Sequence, residues 1–257
     1  MTVNEILSYI NTISPLATAE SYDNVGLLVG GGDTQITGIA CCLDITNEVI
    51  DEAVARNANL IISHHPVIFD PLKSVPPHSP VYRMIKNGIC AICIHTNFDM
   101  SEGGVNDALL ELLGFESNEV LEQVHPNGLG FGAVCDMRLG FTARTLAEHC
   151  KGALDLESVR YTKSEREIHR VAVCCGSGVN STTMALAMEK GCDAIISGDI
   201  RHNFWVEARN NGMVLIDAGH YGTEKNAPHR IAALVTRFYN GVPVFTADSD
   251  TEPCGYV

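Results

Sequence analysis

The chain has 257 residues, of which 46% are hydrophobic and 19% charged, and its 31 acidic against 17 basic side chains give a formal charge of -14. Such a length can bury a large core as one long α/β domain or two similar lobes, while the acidic balance disfavours non-specific binding to a nucleic-acid backbone. No run of about 18 apolar residues offers a membrane span and no basic, apolar leader occupies Met1 to Ile13, so a cytoplasmic protein is expected.

Val3, Ile6, Leu7 and Ile10 recur at helical spacing and predict an amphipathic first helix over Thr2 to Ile13. A polar turn, Glu20 to Asn24, then leads into a short apolar segment ending at Gly30, and Asp23-Asn24 there either lines a site or simply makes the turn. Ile36 to Leu43 is expected as a strand ending in Asp44, and Glu48 to Arg56 as a helix with Val49, Ile50, Ala53 and Val54 inward.

The next run, Leu60-Ile61-Ile62-Ser63, stops at His64-His65-Pro66. Its uninterrupted apolar character suits a strand covered on both faces, as in a parallel sheet. Neighbouring strand residues point to opposite sides, so the two histidines suit two ions, one each, better than chelation of a single ion. A helix around Val81 to Lys86 and a strand over Ile89 to Ile94 follow, ending in the polar cluster His95-Thr96-Asn97-Phe98-Asp99. Strands alternating with helices imply mostly parallel sheets, and ligands bind off the carboxyl ends of such strands.

A helix is expected from Ala108 to Leu113, after which Val120 to Lys163 has a weaker pattern, strand-like over Ala133 to Leu139 and helix-like over Thr142 to Cys150. An internal echo then emerges. The pattern of Ile36 to Cys42, a helix, and Ala58 to Ser63 returns as Ile168 to Cys175, a helix, and Asp193 to Ser197, with 21 positions from second cysteine to serine in one copy and 22 in the other. The strand that follows in the second copy ends in Asp217-Ala218-Gly219-His220, with Glu224 four residues on. Two similar lobes are therefore expected, 1–120 and 121–257, with polar ligands at their strand ends.

Collected from those ends, His64, His65, Asp99, His220 and Glu224 form a mixed nitrogen and oxygen set suited to zinc, manganese, iron, nickel or cobalt. His95, Asp44, Asp199, His202 and Asp217 form a second tier, whereas His78, His125, His149, His169 and His229 fall in helix or loop contexts and are assigned structural roles. At four-residue spacing His220 and Glu224 share one helix face if a helix begins at His220. Cys175 to Thr182 follows a strand and opens a helix, a place where backbone amides can cradle phosphate, although it lacks the lysine of a P-loop. The ten cysteines lie mostly in apolar runs and are expected as buried thiols, Cys90-Ala91-Ile92-Cys93 included.

Asp23-Asn24-Val25-Gly26-Leu27, Ser63-His64-His65-Pro66, His95 to Asp99 with Gly103-Gly104-Val105-Asn106-Asp107, Ser197-Gly198-Asp199 and Gly219 to Glu224 together resemble the NIF-three-like family. These are dinuclear-metal-centre hexameric proteins known as GTP cyclohydrolase type 2 homologues, and the similarity runs through the whole chain in order. The resemblance implies two α/β lobes, a toroidal homohexamer, and two divalent ions per subunit, one on His65 and Asp99, the other on His64 and His220, with Glu224 bridging. It also implies a metal-dependent hydrolase acting on a purine nucleotide such as GTP, with His95 or a nearby acid carrying protons. The large inserted domain of longer relatives is not expected at this length. A reading of a different class is a non-catalytic metal-binding ring protein, either a metallochaperone or an assembly platform; DNA handling is disfavoured by the acidic charge.

Overall fold

The structure is a computed structural model describing residues 1–257. In chain order its elements are α1 (Val3–Ile13), a 3-10 turn (Leu16–Thr18), β1 (Gly26–Val29), β2 (Ile39–Cys42), α2 (Asn47–Ala55), β3 (Leu60–Ser63), α3 (Pro80–Asn87), β4 (Cys90–Cys93), α4 (Thr96–Asp99) and α5 (Val105–Leu113). There follow β5 (Glu119–Gln123), β6 (Gly130–Phe141), α6 (Ala143–Ala153), β7 (Arg160–Tyr161), β8 (Ile168–Val173), α7 (Ser181–Glu189), β9 (Ala194–Ser197), α8 (His202–Asn211), β10 (Val214–Asp217), α9 (His220–Glu224), α10 (Ala227–Phe238) and β11 (Val244–Thr246).

Two compact units result, Met1–Glu102 with Ala227–Pro253, and Gly103–Asn226 with Cys254–Val257. This division departs from the expected 1–120 and 121–257 at both ends. The reason is hydrogen bonding: a three-residue strand must find a partner for its backbone groups, and β11 finds it in parallel register with β2, Val244 opposite Ile39. The helix before it, α10, joins α1 through Tyr9 and Phe238, whose rings stack at 4.1 Å.

The first unit holds a five-stranded sheet in the order β1-β4-β3-β2-β11, parallel throughout except for β1. Every residue of β2, β3 and β4 is buried, as their unbroken apolar runs require when both faces are covered. Beneath them Val49, Ile50 and Ala53 of α2 and Met84 of α3 pack against Ala40, Ile61 and Ala91. Thr46 starts α2 by accepting from the Val49 N–H, and Thr2 starts α1 with a reciprocal pair to Glu5.

The second unit holds a six-stranded sheet, β5-β6-β8-β9-β10-β7. Its centre, β8-β9-β10, is parallel, with antiparallel strands on both sides. Met184 and Ala187 of α7 and Phe204 and Ala208 of α8 pack on Ala172, Ile195 and Leu215. The internal echo is thus a repeated topology: β2-β3-β4 and β8-β9-β10 are parallel triplets with the middle strand of the chain in the middle of the sheet, each bounded by an antiparallel edge after its third member. The weakly patterned stretch contains β5 and β6, which pair antiparallel, and α6.

None of the helices is long and apolar enough to cross a membrane. All ten cysteines are free thiols, nine of them buried and Cys254 exposed, and burial pushes those of Cys135 and Cys150 up to about 12. A thiol reagent such as DTNB is therefore expected to titrate one thiol per native chain and ten after unfolding. A rapidly reacting pair at Cys90 and Cys93 would instead indicate a redox role for their Cys-x-x-Cys spacing.

One carboxylate fastens the C-terminal segment to α2. Glu52 accepts from the N–H groups of Asp248 and Ser249 at 3.1 and 2.9 Å and from the Ser249 hydroxyl at 2.7 Å. Burial pushes the Glu52 carboxyl up, but the Ser249 hydroxyl and amide, the Asp248 amide and Arg56 outweigh it and hold it at about 2, against 4.5 ordinarily. A depressed carboxyl stabilises the fold above pH 4.5, and that contribution disappears as pH falls toward 2. Glu52→Gln is expected to cost about 1–2 kcal/mol at pH 7 and progressively less toward pH 2, as read from urea midpoints across the series.

Candidate metal centre

In the first unit, β3 ends at Ser63, and its two histidines follow in a bend. The Ser63 hydroxyl donates to the His65 carbonyl at 2.7 Å and fixes that bend. As a result the rings of His64 and His65 do not separate to opposite sides, as residues within a pleated strand would; their centroids lie 5.0 Å apart, and the ring of His95 lies 5.1 and 5.4 Å from them. The expected opposite-facing arrangement fails because pleat alternation stops with the strand. His64, His65 and His95 offer ligand atoms within 4.8 Å of one another.

Each imidazole is anchored through Nδ1. That of His64 faces the Ile94 carbonyl at 3.0 Å, that of His65 faces Asp44 Oδ1 at 2.9 Å, and that of His95 faces Asp23 Oδ1 at 2.9 Å. Carbonyl and carboxylate oxygens only accept, so these bonds place the proton on Nδ1 and the lone pair on Nε2, the tautomer in which an imidazole ligates a metal through Nε2. His64 is fully buried, and its Nε2 lies 3.4 Å from Oδ1 of Asp99, itself 5% exposed. A lone pair facing a carboxylate in a buried place calls for a positive charge there, either a proton or a metal ion.

Asp99 reaches this position on α4, whose first turn follows His95 directly. Asp23 organises that turn, accepting from the Thr96 N–H at 3.0 Å and hydroxyl at 2.6 Å as well as from His95. Burial pushes the Asp23 carboxyl up, but the hydrogen bonds from His95 and Thr96 prevail and hold it at about 2. Asp23 is thus a supporting residue of the site, and Asn97 completes the turn by donating to Ser14.

The second unit repeats the plan with different residues. A helix begins at His220, which is the condition for the four-residue spacing to bring the two side chains together, and His220 Nε2 lies 3.0 Å from Glu224 Oε2 across its one turn. His220 Nδ1 is anchored on Asp199 Oδ2 at 2.9 Å. Asp199 adopts φ +49, a left-handed conformation more tolerated by Asp than by most residues. Glu224 is 3% exposed.

Two glycines make room for this pair. Gly176 has φ +54, and a Cβ built on it would overlap Glu224 Oε1 and lie 3.2 Å from His220 Nε2. On Gly198 a Cβ would meet the Gly219 backbone and lie 2.7 Å from the His220 nitrogen. In sequence Cys175 to Thr182 is a place where amides can cradle phosphate, but amides of that loop already have protein acceptors: Cys175 donates to Asn106, Gly176 to Thr223, Gly178 to Ser197, and Thr182 and Thr183 to Asn180. What the loop provides is the space that Glu224 occupies beside Gly176.

Two second-tier residues fall outside these groups. Asp217 is buried, accepts from the Gly219 and Ile200 N–H groups and pairs with Arg160, which makes it a structural anchor. His202 is exposed at the start of α8. Asp44 and Asp199 act behind the imidazoles.

Fold and donors together define an α/β protein with two sheets whose strand ends gather histidine and carboxylate groups close enough to hold a metal ion. The chain belongs to the Duf34/NIF3 (NGG1p interacting factor 3) family, whose profile matches residues 1–253. It is 33% identical over 229 residues to the GTP cyclohydrolase 1 type 2 homolog of Clostridium acetobutylicum, covering 86% of this chain and 85% of that one. Among solved structures, the Staphylococcus aureus hypothetical protein SA1388 superposes with a TM-score of 0.92 at 27% identity, over 100% of this chain and 99% of that one. A Bacillus cereus protein related to NIF3 gives a TM-score of 0.93 at 22% identity, over 100% and 99%, and shares the fold.

Proposed function

We propose that His64, His65 and Asp99 together with His220 and Glu224 hold two divalent ions, with Glu224 shared, and that the protein is a metal-dependent hydrolase acting on a purine nucleotide. The observation that carries the metal reading is the common plan of His64, His65 and His220, each with Nδ1 held by an oxygen acceptor, which is how metal-binding histidines are oriented. Family membership and the name of the Clostridium acetobutylicum relative support the choice of substrate class. Bound there, divalent ions supply Lewis acidity and activate water. His95 is the proposed proton carrier: Asp23 fixes its ring through Nδ1, which leaves Nε2 to take and release the proton. The proposed assembly is a cytoplasmic homohexamer, to be tested by light scattering of the eluted protein.

The deciding experiment combines metal analysis of the purified protein with a turnover screen on GTP and other nucleotides. Turnover that requires added divalent metal and disappears in His65→Ala is the expected result. Metal-loaded protein that leaves GTP and the whole panel unchanged points instead to a non-catalytic metal-binding ring protein.

The supporting carboxylates have their own expected effect. Asp44 and Asp199 are about half exposed or more, so Asp44→Asn and Asp199→Asn should leave the fold intact. Each is expected to weaken metal affinity about 10–100-fold in titration calorimetry, the size typical of losing an outer partner of a ligating histidine. Unchanged affinity in both would mean that the Nδ1 bonds do not tune the ligands.

A further inference from the structure

Tyr22 and Phe69 are large aromatic side chains left 64% and 47% exposed, and both stand beside the imidazole cluster of the first unit. Their ring centroids are 6.5 Å apart with a 40° tilt, and Phe69 meets His95 edge-on, again at 6.5 Å. A continuous series of rings therefore leads from His64 and His65 through His95 to Phe69 and Tyr22.

The placement is built by three consecutive residues. Tyr22 contributes its ring, Asp23 holds His95, and Asn24 donates through Nδ2 to the Ile68 carbonyl at 2.6 Å, pinning the segment that carries Phe69. The Asn24 N–H also donates to Asp23 Oδ1 at 2.7 Å, so the imidazole and the Phe69 segment are tied to the same turn. Exposed aromatic surface is unfavourable in water, and rings of this kind are the sequence-tolerant stacking surface that proteins offer to nucleobases. Centroids 6.5 Å apart at a 40° tilt fall within the range of a directly interacting aromatic pair, so the two rings form one joined exposed surface on which a flat base can lie.

We propose that Tyr22 and Phe69 form a stacking subsite for the nucleobase of the substrate, placing its ring next to His95. This inference rests on the nucleotide reading above, and it assigns the residues that recognise the base. The Asp23-Asn24 pair then also ties the base-holding rings to the imidazole cluster.

Binding of guanosine, which carries a base but no phosphate, to the metal-loaded protein tests this without any requirement for turnover. Tyr22→Ala and Phe69→Ala are each expected to weaken guanosine binding about tenfold, equivalent to about 1.4 kcal/mol. Tyr22→Phe and Phe69→Tyr should retain it within about threefold, since each keeps an aromatic face. Metal content equal to the parent's verifies that each variant is folded. Equal guanosine affinity in parent and alanine variants overturns the subsite, as does a parent that does not bind guanosine at all. If the alanine variants instead lose their assembly mass while their guanosine affinity is unchanged, the two rings belong to a subunit contact and the proposal fails. A protein that binds guanosine through these rings but hydrolyses nothing would retain the subsite and lose only the hydrolase reading.

Discussion

Gly176→Ala is expected to reduce metal affinity more than 100-fold, and by more than a substitution at either supporting aspartate. Two effects combine. At φ +54 an alanine is in the left-handed region, which costs about 1–2 kcal/mol for a residue with a Cβ. The added methyl also occupies the place of Glu224 Oε1 and crowds His220 Nε2, so the carboxylate must leave its position. Glu224 has little room to move, because it is buried and because Thr223 beside it ties α9 to the loop, accepting from the Gly176 N–H at 2.9 Å. Calorimetric titration with zinc or manganese, alongside metal content, measures the loss. If Gly176→Ala binds the same number of ions with the parent's affinity, Glu224 is not a ligand.

His64→Ala should have the largest effect on metal-linked stability. The substitution removes a proposed ligand and leaves the Ile94 carbonyl and the buried Asp99 carboxylate without the imidazole they face. A buried acceptor that loses its partner costs about 1–3 kcal/mol, and a charged one costs more. For the parent, metal at about 1,000 times its dissociation constant should contribute about 4 kcal/mol per site, which at this chain length raises the melting temperature by about 8–16 °C. His64→Ala should melt lower without metal and gain only a small part of that increment when metal is added. A full metal-induced rise in the variant would remove His64 from the ligand set.

Much of the first sheet could be read from residue order. The unbroken apolar runs at Leu60 to Ser63 and Cys90 to Cys93 have only one comfortable environment, a strand covered on both faces, and both are fully buried strands. The echo between the two halves was equally legible, because repeated strand and helix patterns imply repeated topology. The direction of the His64 and His65 rings was not, since it depends on a bend held by the Ser63 hydroxyl after the strand ends, and periodicity says nothing about residues beyond the periodic segment. The role of Gly176 is not legible in sequence for a similar reason: its need to be glycine arises from Glu224, 48 positions away in the chain. Asp23 was singled out, but its task of holding His95 and Thr96 depends on a contact across more than 70 positions. The assignment of Ala227–Pro253 to the first unit was hidden because the partner of a short strand is set by tertiary pairing rather than by its own composition.

That late return of the chain has a consequence for biosynthesis. The first unit begins at the N-terminus but closes only when Ala227–Pro253 is available, and at about 5–20 residues per second the intervening segment of about 125 residues takes roughly 6–25 s to synthesise. Through that interval the nascent chain carries a sheet whose β2 edge still awaits β11, while most of the second unit emerges from the ribosome as one continuous segment. Nascent protein halted before Ala227 is therefore the form in which an open, apolar strand edge is offered to chaperones.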